Sequence, residues 1–492
     1  MDKKAIIIGS GVGGMAAAIR LSCMGYRVDV FEKNSYPGGK LSHFEQDGYQ
    51  FDAGPSLFTQ PANIEELFQL AGEPVLEYFT YRKASETCRY FFSNGKRVTA
   101  WADKELFAIE MQEKLGEPAE NVLNYLQRSS ALYHKVGELF LRHSLHRPSH
   151  FSWKEIWGAL ASTRPPYLFR SLDSYNRQRF STAEAVQLFD RYATYNGSNP
   201  YRAPAMLSLI PHLEMNQGTF FADGGMISIT NALYKLACRK GVKFHFDTPV
   251  SRILEHGGII AGVEAGGVRH DASLVVSNQD VYFTYRELLG RNDMANKVLK
   301  QERSSSALIF YWGIGQPFEE LGLHNIFFSG NYQKEFGHIF NTGDVATDPT
   351  IYINITSKME AGMAPTGKEN WFVMVNVPAN TGQDWDTLKQ VTRINVVKKL
   401  NRILRTDIGS LIETEATLDP VTIASKTMSY MGSLYGTSSN SKMAAFLRHP
   451  NFSDRYKGLY FVGGSVHPGG GIPLCLRSAA IACHLIHREF KG

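Results

Sequence analysis

The first run of the chain whose residue types could do chemistry is Gly9-Ser10-Gly11-Val12-Gly13-Gly14. It holds GxGxxG directly after an apolar stretch and directly before an alanine-rich one, the strand and helix context that such a turn needs. Gly9 allows the tight turn, Gly11, with Gly13 beside it, lets a pyrophosphate approach the backbone, and Gly14 lets helix and strand pack closely. The helix start then offers free N–H groups and the positive end of its dipole to phosphates. Glu32, followed by Lys33, closes the next apolar run, where a carboxylate accepts hydrogen bonds from a ribose diol and disfavours a 2′-phosphate. These residues specify the adenosine diphosphate half of a dinucleotide. They leave NAD and FAD both open, because both carry that half.

Gly38-Gly39-Lys40 and then Gly48-Tyr49-Gln50-Phe51-Asp52-Ala53-Gly54-Pro55-Ser56 come next. The doublet permits close backbone approach, and Lys40 offers a cation to the pyrophosphate. The pair of segments resembles the glycine doublet and downstream (D)xG of the FAD-binding superfamily that includes amine oxidases, protoporphyrinogen oxidase, Rab escort proteins and carotenoid desaturases. That resemblance implies FAD, with Gly38, Gly39, Gly54 and Pro55 at the cofactor. In Pro249-Val250-Ser251, Val250 matches the place where a backbone valine meets the adenine ring in that superfamily.

The C-terminal run Gly463-Gly464-Ser465-Val466-His467-Pro468-Gly469-Gly470-Gly471-Ile472-Pro473 resembles the closing signature of bacterial-type carotenoid desaturases. The resemblance implies that the following helix points its N-terminus at the flavin, with Gly463, Gly464, His467, Gly471, Ile472 and Pro473 in contact. Arg191 to Pro200, Phe221 to Met226 and Ser277-Asn278-Gln279-Asp280-Val281 are similar to further blocks of that family. Within it, the runs 191–197, 304–312, 432–436 and 446–452 look most like the hydroxycarotenoid 3,4-desaturase branch, with phytoene desaturases as the alternative. More distant alternatives are a flavin amine or porphyrinogen oxidase and a non-catalytic binding protein of the same fold.

No Ser-His-Asp array, metal cluster or carboxylate pair stands out, which suits a flavin doing the hard chemistry while the protein shapes a tunnel. Lys154 and Glu155 align loosely with a basic-acidic pair of the desaturases and are the candidate catalytic groups; the alternative is a helix's solvated charges. A long polyene is insoluble and must be drawn from a bilayer. From Phe151 to Phe180, Phe151, Trp153, Trp157, Tyr167, Leu168 and Phe169 interleave with Lys154, Arg164, Arg170, Arg177 and Arg179, an interfacial pattern. The expectation is a peripheral protein of the cytoplasmic membrane, taking a carotenoid substrate from it. The acceptor that reoxidises the flavin, quinone or O2, stays open.

The elements that must position these groups follow from periodicity. Lys4 to Ile8 reads as a strand, Met15 to Met24 as a helix and Arg27 to Phe31 as a strand, one β-α-β unit. Strand character returns at Val242 to Phe246, Val250 to Leu254, Ile259 to Glu264 and Leu274 to Ser277. Residues 100 to 200 carry amphipathic helices. Ala307 to Ile314, Ile351 to Ile355 and Trp371 to Val377 read as a second sheet, followed by a helix from Trp385 to Arg405. Gly458 to Val462 is a strand and Leu474 to Glu489 a helix.

The expected fold is α/β, a Rossmann-like FAD-binding domain of glutathione-reductase and amine-oxidase type interleaved with a substrate domain of mixed sheet and helices. In segments, 1–100, 216–290 and 451–492 form the cofactor domain, 101–215 a helical, membrane-associated insertion, and 291–450 the substrate domain.

Composition sets the outer bounds. With 43% hydrophobic and 20% charged residues among 492, the chain can bury a large core, yet no stretch is long and apolar enough to span a bilayer as a helix. A formal charge of +5 without an arginine-rich stripe argues against nucleic acid. Cys23, Cys88, Cys238, Cys475 and Cys483 form no CxxC pair, so neither a disulfide framework nor a metal site is expected.

Overall fold

The computed structural model describes residues 3–144, 146–147, 165–441 and 448–490. The apolar run Lys4–Ile8 becomes the middle strand of a five-stranded sheet, flanked by Arg27–Phe31 and then Lys243–His245 on one side, and by Leu274–Ser277 and then Leu459–Phe461 on the other. Every pair is parallel. A parallel sheet must be covered on its faces. Helix Val12–Cys23 does this from one side, with Ala16, Ala17 and Ala18 all fully buried. Those small side chains let it lie against helices Ile227–Arg239 and Ile472–Glu489. The helix starts at Val12, three residues before the expected Met15, so it leaves the glycine turn with no linker.

A seven-stranded sheet runs Ile412–Leu418, Ser306–Ile314, Glu369–Val377, Ile351–Asn354, His324–Phe327, Glu86–Phe91, Arg97–Trp101. All nine residues of Ser306–Ile314 are buried, as a central strand with both faces covered requires. Helix Trp385–Leu404 follows Glu369–Val377; it begins at Asp384, whose carboxylate accepts from the Thr387 N–H, and ends at Arg405 in the left-handed region.

One placement differs from the sequence-based expectation. Strands Glu86–Phe91 and Arg97–Trp101, inside the expected first cofactor segment, pair into the seven-stranded sheet. Strands Val250–His256 and Ile259–Ala265 join Val268–Asp271 in a separate antiparallel three-stranded sheet. Periodicity marks Val250–His256 and Ile259–Ala265 as strands but names no partner for them, and it marks neither Glu86–Phe91 nor Arg97–Trp101. Between the sheets, Lys104–Leu115 and Ala119–Leu132 are helices as their periodicity predicts.

Candidate active site

A single cavity of ≈ 1400 Å³ runs from the glycine turn to the seven-stranded sheet and the helical insertion. The first sheet delivers Gly9, Gly11, Gly13, Glu32 and Lys33 to it. Gly38, Gly39 and Lys40 arrive beside them because Gly38 donates its N–H to the Ser10 carbonyl at 3.0 Å and its backbone bridges Gly11. Gly54, Pro55 and Val250 line the same space, as do Gly463, Gly464, Gly471, Ile472 and Pro473 from the other end of the chain.

Several of these positions admit no side chain. A Cβ on Gly14 would lie 2.1 Å from the Gly9 carbonyl oxygen, and one on Gly54 1.8 Å from that of Lys40. Gly14 therefore works behind the cavity wall, holding helix to strand, and is not itself in the lining. Glu32, 6% exposed, accepts from the Ser10 N–H at 2.8 Å, the Ser10 hydroxyl at 2.9 Å and the Asn34 N–H at 2.9 Å. Three donors fix its orientation at the sheet's edge, where a diol would compete for its lone pairs.

Sequence reasoning passed over Asn278 as a site residue, although it stands in a quoted block. Its side chain is what a Cβ on Gly11 or Gly13 would strike, at 2.6 and 2.8 Å, and it touches Gly463 as well. It closes the seam between the two ends of the chain.

The far part of the cradle is electropositive. Helix Ile472–Glu489 begins at Gly471 with no side-chain cap, so its positive end opens on the cavity. A Cβ on Gly471 would meet nothing within 4 Å, which is the open space a ring system needs. Lys40 Nζ donates to the carbonyls of Leu434 (3.0 Å) and Ser433 (3.4 Å), and burial lowers its pKa, an effect opposed by Asp280 and Cys475. It thus faces the 433–434 loop and the last helix. Lys33 turns to the Ser425 carbonyl at 2.6 Å.

Arg448, unmentioned as a site residue by the sequence reading, is 1% exposed; Nη1 donates to the Tyr435 carbonyl at 2.7 Å, while Nη2 has no partner among the described residues. Burial and Arg303 lower its pKa to about 10. A buried cation with an orphaned N–H, beside an uncapped helix N-terminus, fits the negative edge of a bound flavin.

His467 corrects one expectation. Its ring is fully buried, outside the cavity lining, with Nε2 2.9 Å from the carbonyls of both Phe140 and His143. Both partners are acceptors, so Nε2 carries the proton. Burial lowers its pKa to about 4 and keeps it neutral. His467 therefore pins the helical insertion onto the cofactor loop while the loop's Pro468 and Gly470 reach the cavity.

Beyond the cradle the walls turn apolar. Ile309, Tyr311, Phe372 and Met374 of the seven-stranded sheet face Val136, Leu209 and Leu213 of the insertion. Two polar clusters interrupt them. Arg191, 7% exposed, is ion-paired with Glu214, 1% exposed, and donates through Nε to Tyr90 Oη at 2.9 Å. Glu214 also takes the hydroxyls of Tyr192 and Tyr195. The second cluster is Ser56, Tyr352 and His324. Lys154 and Glu155 lie outside the described residues, as do Phe151, Trp153, Trp157 and Arg164. Of the remaining expected interfacial residues, Phe169 is 65% exposed beside exposed Arg170. No described helix is long and apolar enough to cross a membrane.

A parallel sheet ending in a glycine turn, a buried carboxylate at its edge and a cradle continuous with an apolar gallery define a dinucleotide oxidoreductase. The flavin containing amine oxidoreductase family matches residues 12–487, and the chain belongs to it: it is an FAD-dependent oxidoreductase. It is 49% identical, over 98% of its length and 99% of the relative's, to a 1-hydroxycarotenoid 3,4-desaturase of Flavobacterium sp. strain P99-3. It is 32% identical to a 4,4'-diapolycopene oxygenase of Methylomonas sp., over 98% of this chain and 97% of that one. Among solved structures, cyclohexylamine oxidase of Brevibacterium oxydans shares the fold with a TM-score of 0.62 at 14% identity, each chain fully covered. An engineered putrescine oxidase does so at 0.65 and 13%, over 99% of both chains.

Proposed function

We propose that this protein is a carotenoid desaturase that introduces the 3,4 double bond into an acyclic 1-hydroxycarotenoid. The observation that carries the reading is the 49% identity to a 1-hydroxycarotenoid 3,4-desaturase along essentially the whole of both chains. The gallery supports it: an apolar wall continuous with the cofactor cradle suits a polyene, and the Glu214 carboxylate in it is already held by Arg191 and two tyrosine hydroxyls. When bound in this cradle, FAD would supply the two-electron oxidation of the substrate's CH–CH bond, and the second hydrogen would leave as a proton. Arg448 and the uncapped start of the last helix offer the positive charge that favours the reduced state. Ile309, Phe372 and Met374 hold the polyene in line and exclude water. For the proton we propose Glu155, with Lys154 beside it.

The same reading keeps cofactor segments 1–100, 216–290 and 451–492 around a substrate domain 291–450 to which strands Glu86–Phe91 and Arg97–Trp101 are added. It takes the 101–215 insertion as the contact with the cytoplasmic membrane, through the aromatic and cationic residues 151–180, from which substrate enters. Purified protein is expected to bind anionic liposomes, and loss of that binding on deleting 151–164 checks the assignment.

Expression in a carotenoid-producing bacterial host fed pathway intermediates tests the function. A longer-wavelength pigment is expected with acyclic 1-hydroxycarotenoids. No shift with acyclic, monocyclic or hydroxylated substrates would end the desaturase reading, and a shift with phytoene alone would move it to the phytoene desaturases.

A further inference from the structure

His324 stands on strand His324–Phe327, 3% exposed, in the wall of the cavity. Its Nδ1 lies 2.8 Å from Tyr352 Oη and 3.2 Å from Asn354 Nδ2. The same Asn354 nitrogen also donates to the Leu323 carbonyl at 3.1 Å, which fixes the orientation of that amide, since a carbonyl takes only a donor. Asn354 therefore donates to Nδ1, Nδ1 is the bare nitrogen, and the ring's proton sits on Nε2. Tyr352 Oη is 2.9 Å from Ser56 Oγ, so a directed chain runs Ser56 to Tyr352 to His324. Burial and Arg191 push the pKa of His324 down to about 3, and the imidazole stays neutral.

Nε2 is buried and has no partner among the described residues. An N–H left without an acceptor in an apolar wall is costly, and the cost is recovered when an oxygen of the ligand arrives. On the adjoining strand Glu86–Phe91, Thr87 is 1% exposed, lines the same cavity, and its Oγ1 likewise has no partner among the described residues. Arg191 is already satisfied by Glu214 and Tyr90, so it is not the group waiting for the ligand.

We propose that His324 Nε2–H donates a hydrogen bond to the hydroxyl oxygen at the substrate's end group, making Ser56, Tyr352, His324 and Thr87 a polar subsite that selects oxygenated over hydrocarbon polyenes. This rests on the desaturase reading above and says which residue sets its specificity. In a 1-hydroxy-3,4-desaturation only one carbon separates the hydroxyl-bearing carbon from the bond oxidised, so the hydroxyl has to be held next to the cofactor. Ser56 directly follows Gly54 and Pro55, which puts the anchor of the chain there.

The test compares 1-hydroxylycopene with lycopene in detergent micelles on the FAD-loaded protein, reading kcat/KM for each and Kd on pre-reduced enzyme, which cannot turn over. Wild type is expected to prefer the hydroxylated polyene by roughly tenfold or more. His324→Phe is expected to erase that preference and His324→Gln, which keeps a donor, to retain part of it, with flavin content and melting temperature verifying that each variant is folded. If wild type turns over neither polyene, the desaturase reading has failed. If it turns over both equally, or if folded His324→Phe keeps the preference, the subsite is wrong and the desaturase reading stands. A wild type without that preference overturns the subsite even where no variant folds.

Discussion

At the adenosine end of the cavity the walls are backbone: Gly9, Gly11 and Gly13 touch the space directly and Gly14 holds the turn together from behind. At the other end they are side chains drawn from distant segments, with Arg191, Glu214, His324 and Tyr352 supplied by four separate stretches of chain. The first design binds what every dinucleotide shares, since backbone donors and one carboxylate suffice for phosphates and a diol. The second is where substrates are told apart, and it depends on buried polar groups that must all be satisfied.

The difference can be broken from either side. Arg191→Met strands the Glu214 carboxylate, 1% exposed, and is expected to cost about 3–5 kcal/mol in denaturant unfolding, while Arg191→Met with Glu214→Leu recovers most of it. A double variant no more stable than the single one would mean that the pair is not coupled.

His467 ties the two ends together, and its titration gives the next effect. Its pKa in the folded protein, about 4, lies below the ordinary value of 6.5, so its contribution is fully present above pH 6.5 and is lost as pH falls towards 4. Roughly 3 kcal/mol of stability is expected to disappear across that window. His467→Gln, which cannot titrate but can still donate to the Phe140 and His143 carbonyls, should flatten this acid limb. An unchanged limb would assign the acid sensitivity elsewhere, for instance to His449, whose pKa burial also lowers to about 4.

At the adenosine end, Gly14→Ala puts a Cβ 2.1 Å from the Gly9 carbonyl and is expected to cost about 1–3 kcal/mol and to lower retained flavin. Smallest of these is Glu32→Ala, expected to weaken FAD binding to apoprotein by roughly tenfold with little change in the unfolding midpoint. Wild-type affinity in that variant would remove Glu32 from the ribose.

Legibility in the sequence follows the same division. The glycine turn, Glu32, the doublet at Gly38 and the loop before Ile472 could be read because each is a local pattern whose spacing is set by backbone geometry. Sixteen of the eighteen residues named for the cofactor line one cavity, all but Gly14 and His467. His467 was misplaced because a glycine-rich loop carries side chains on both of its sides, and nothing local says which side faces the ligand. Arg448, Asn278 and His324 gave no spacing signal. Their roles arise from contacts across long stretches of chain, such as Arg303 beside Arg448 and Gly463 against Asn278. The strands Glu86–Phe91 and Arg97–Trp101 pair with each other and were not recognisable as members of the second sheet, because only Glu86–Phe91 joins it, through His324–Phe327, which lies far along the chain and carries only four residues.

The most direct test of the central claim is anaerobic titration of the purified flavoprotein with an acyclic 1-hydroxycarotenoid while following the flavin's visible absorbance. Bleaching of the flavin, with recovery of a carotenoid holding one additional double bond, is the expected result. A flavin that stays oxidised with every carotenoid offered but bleaches with a primary amine would contradict it.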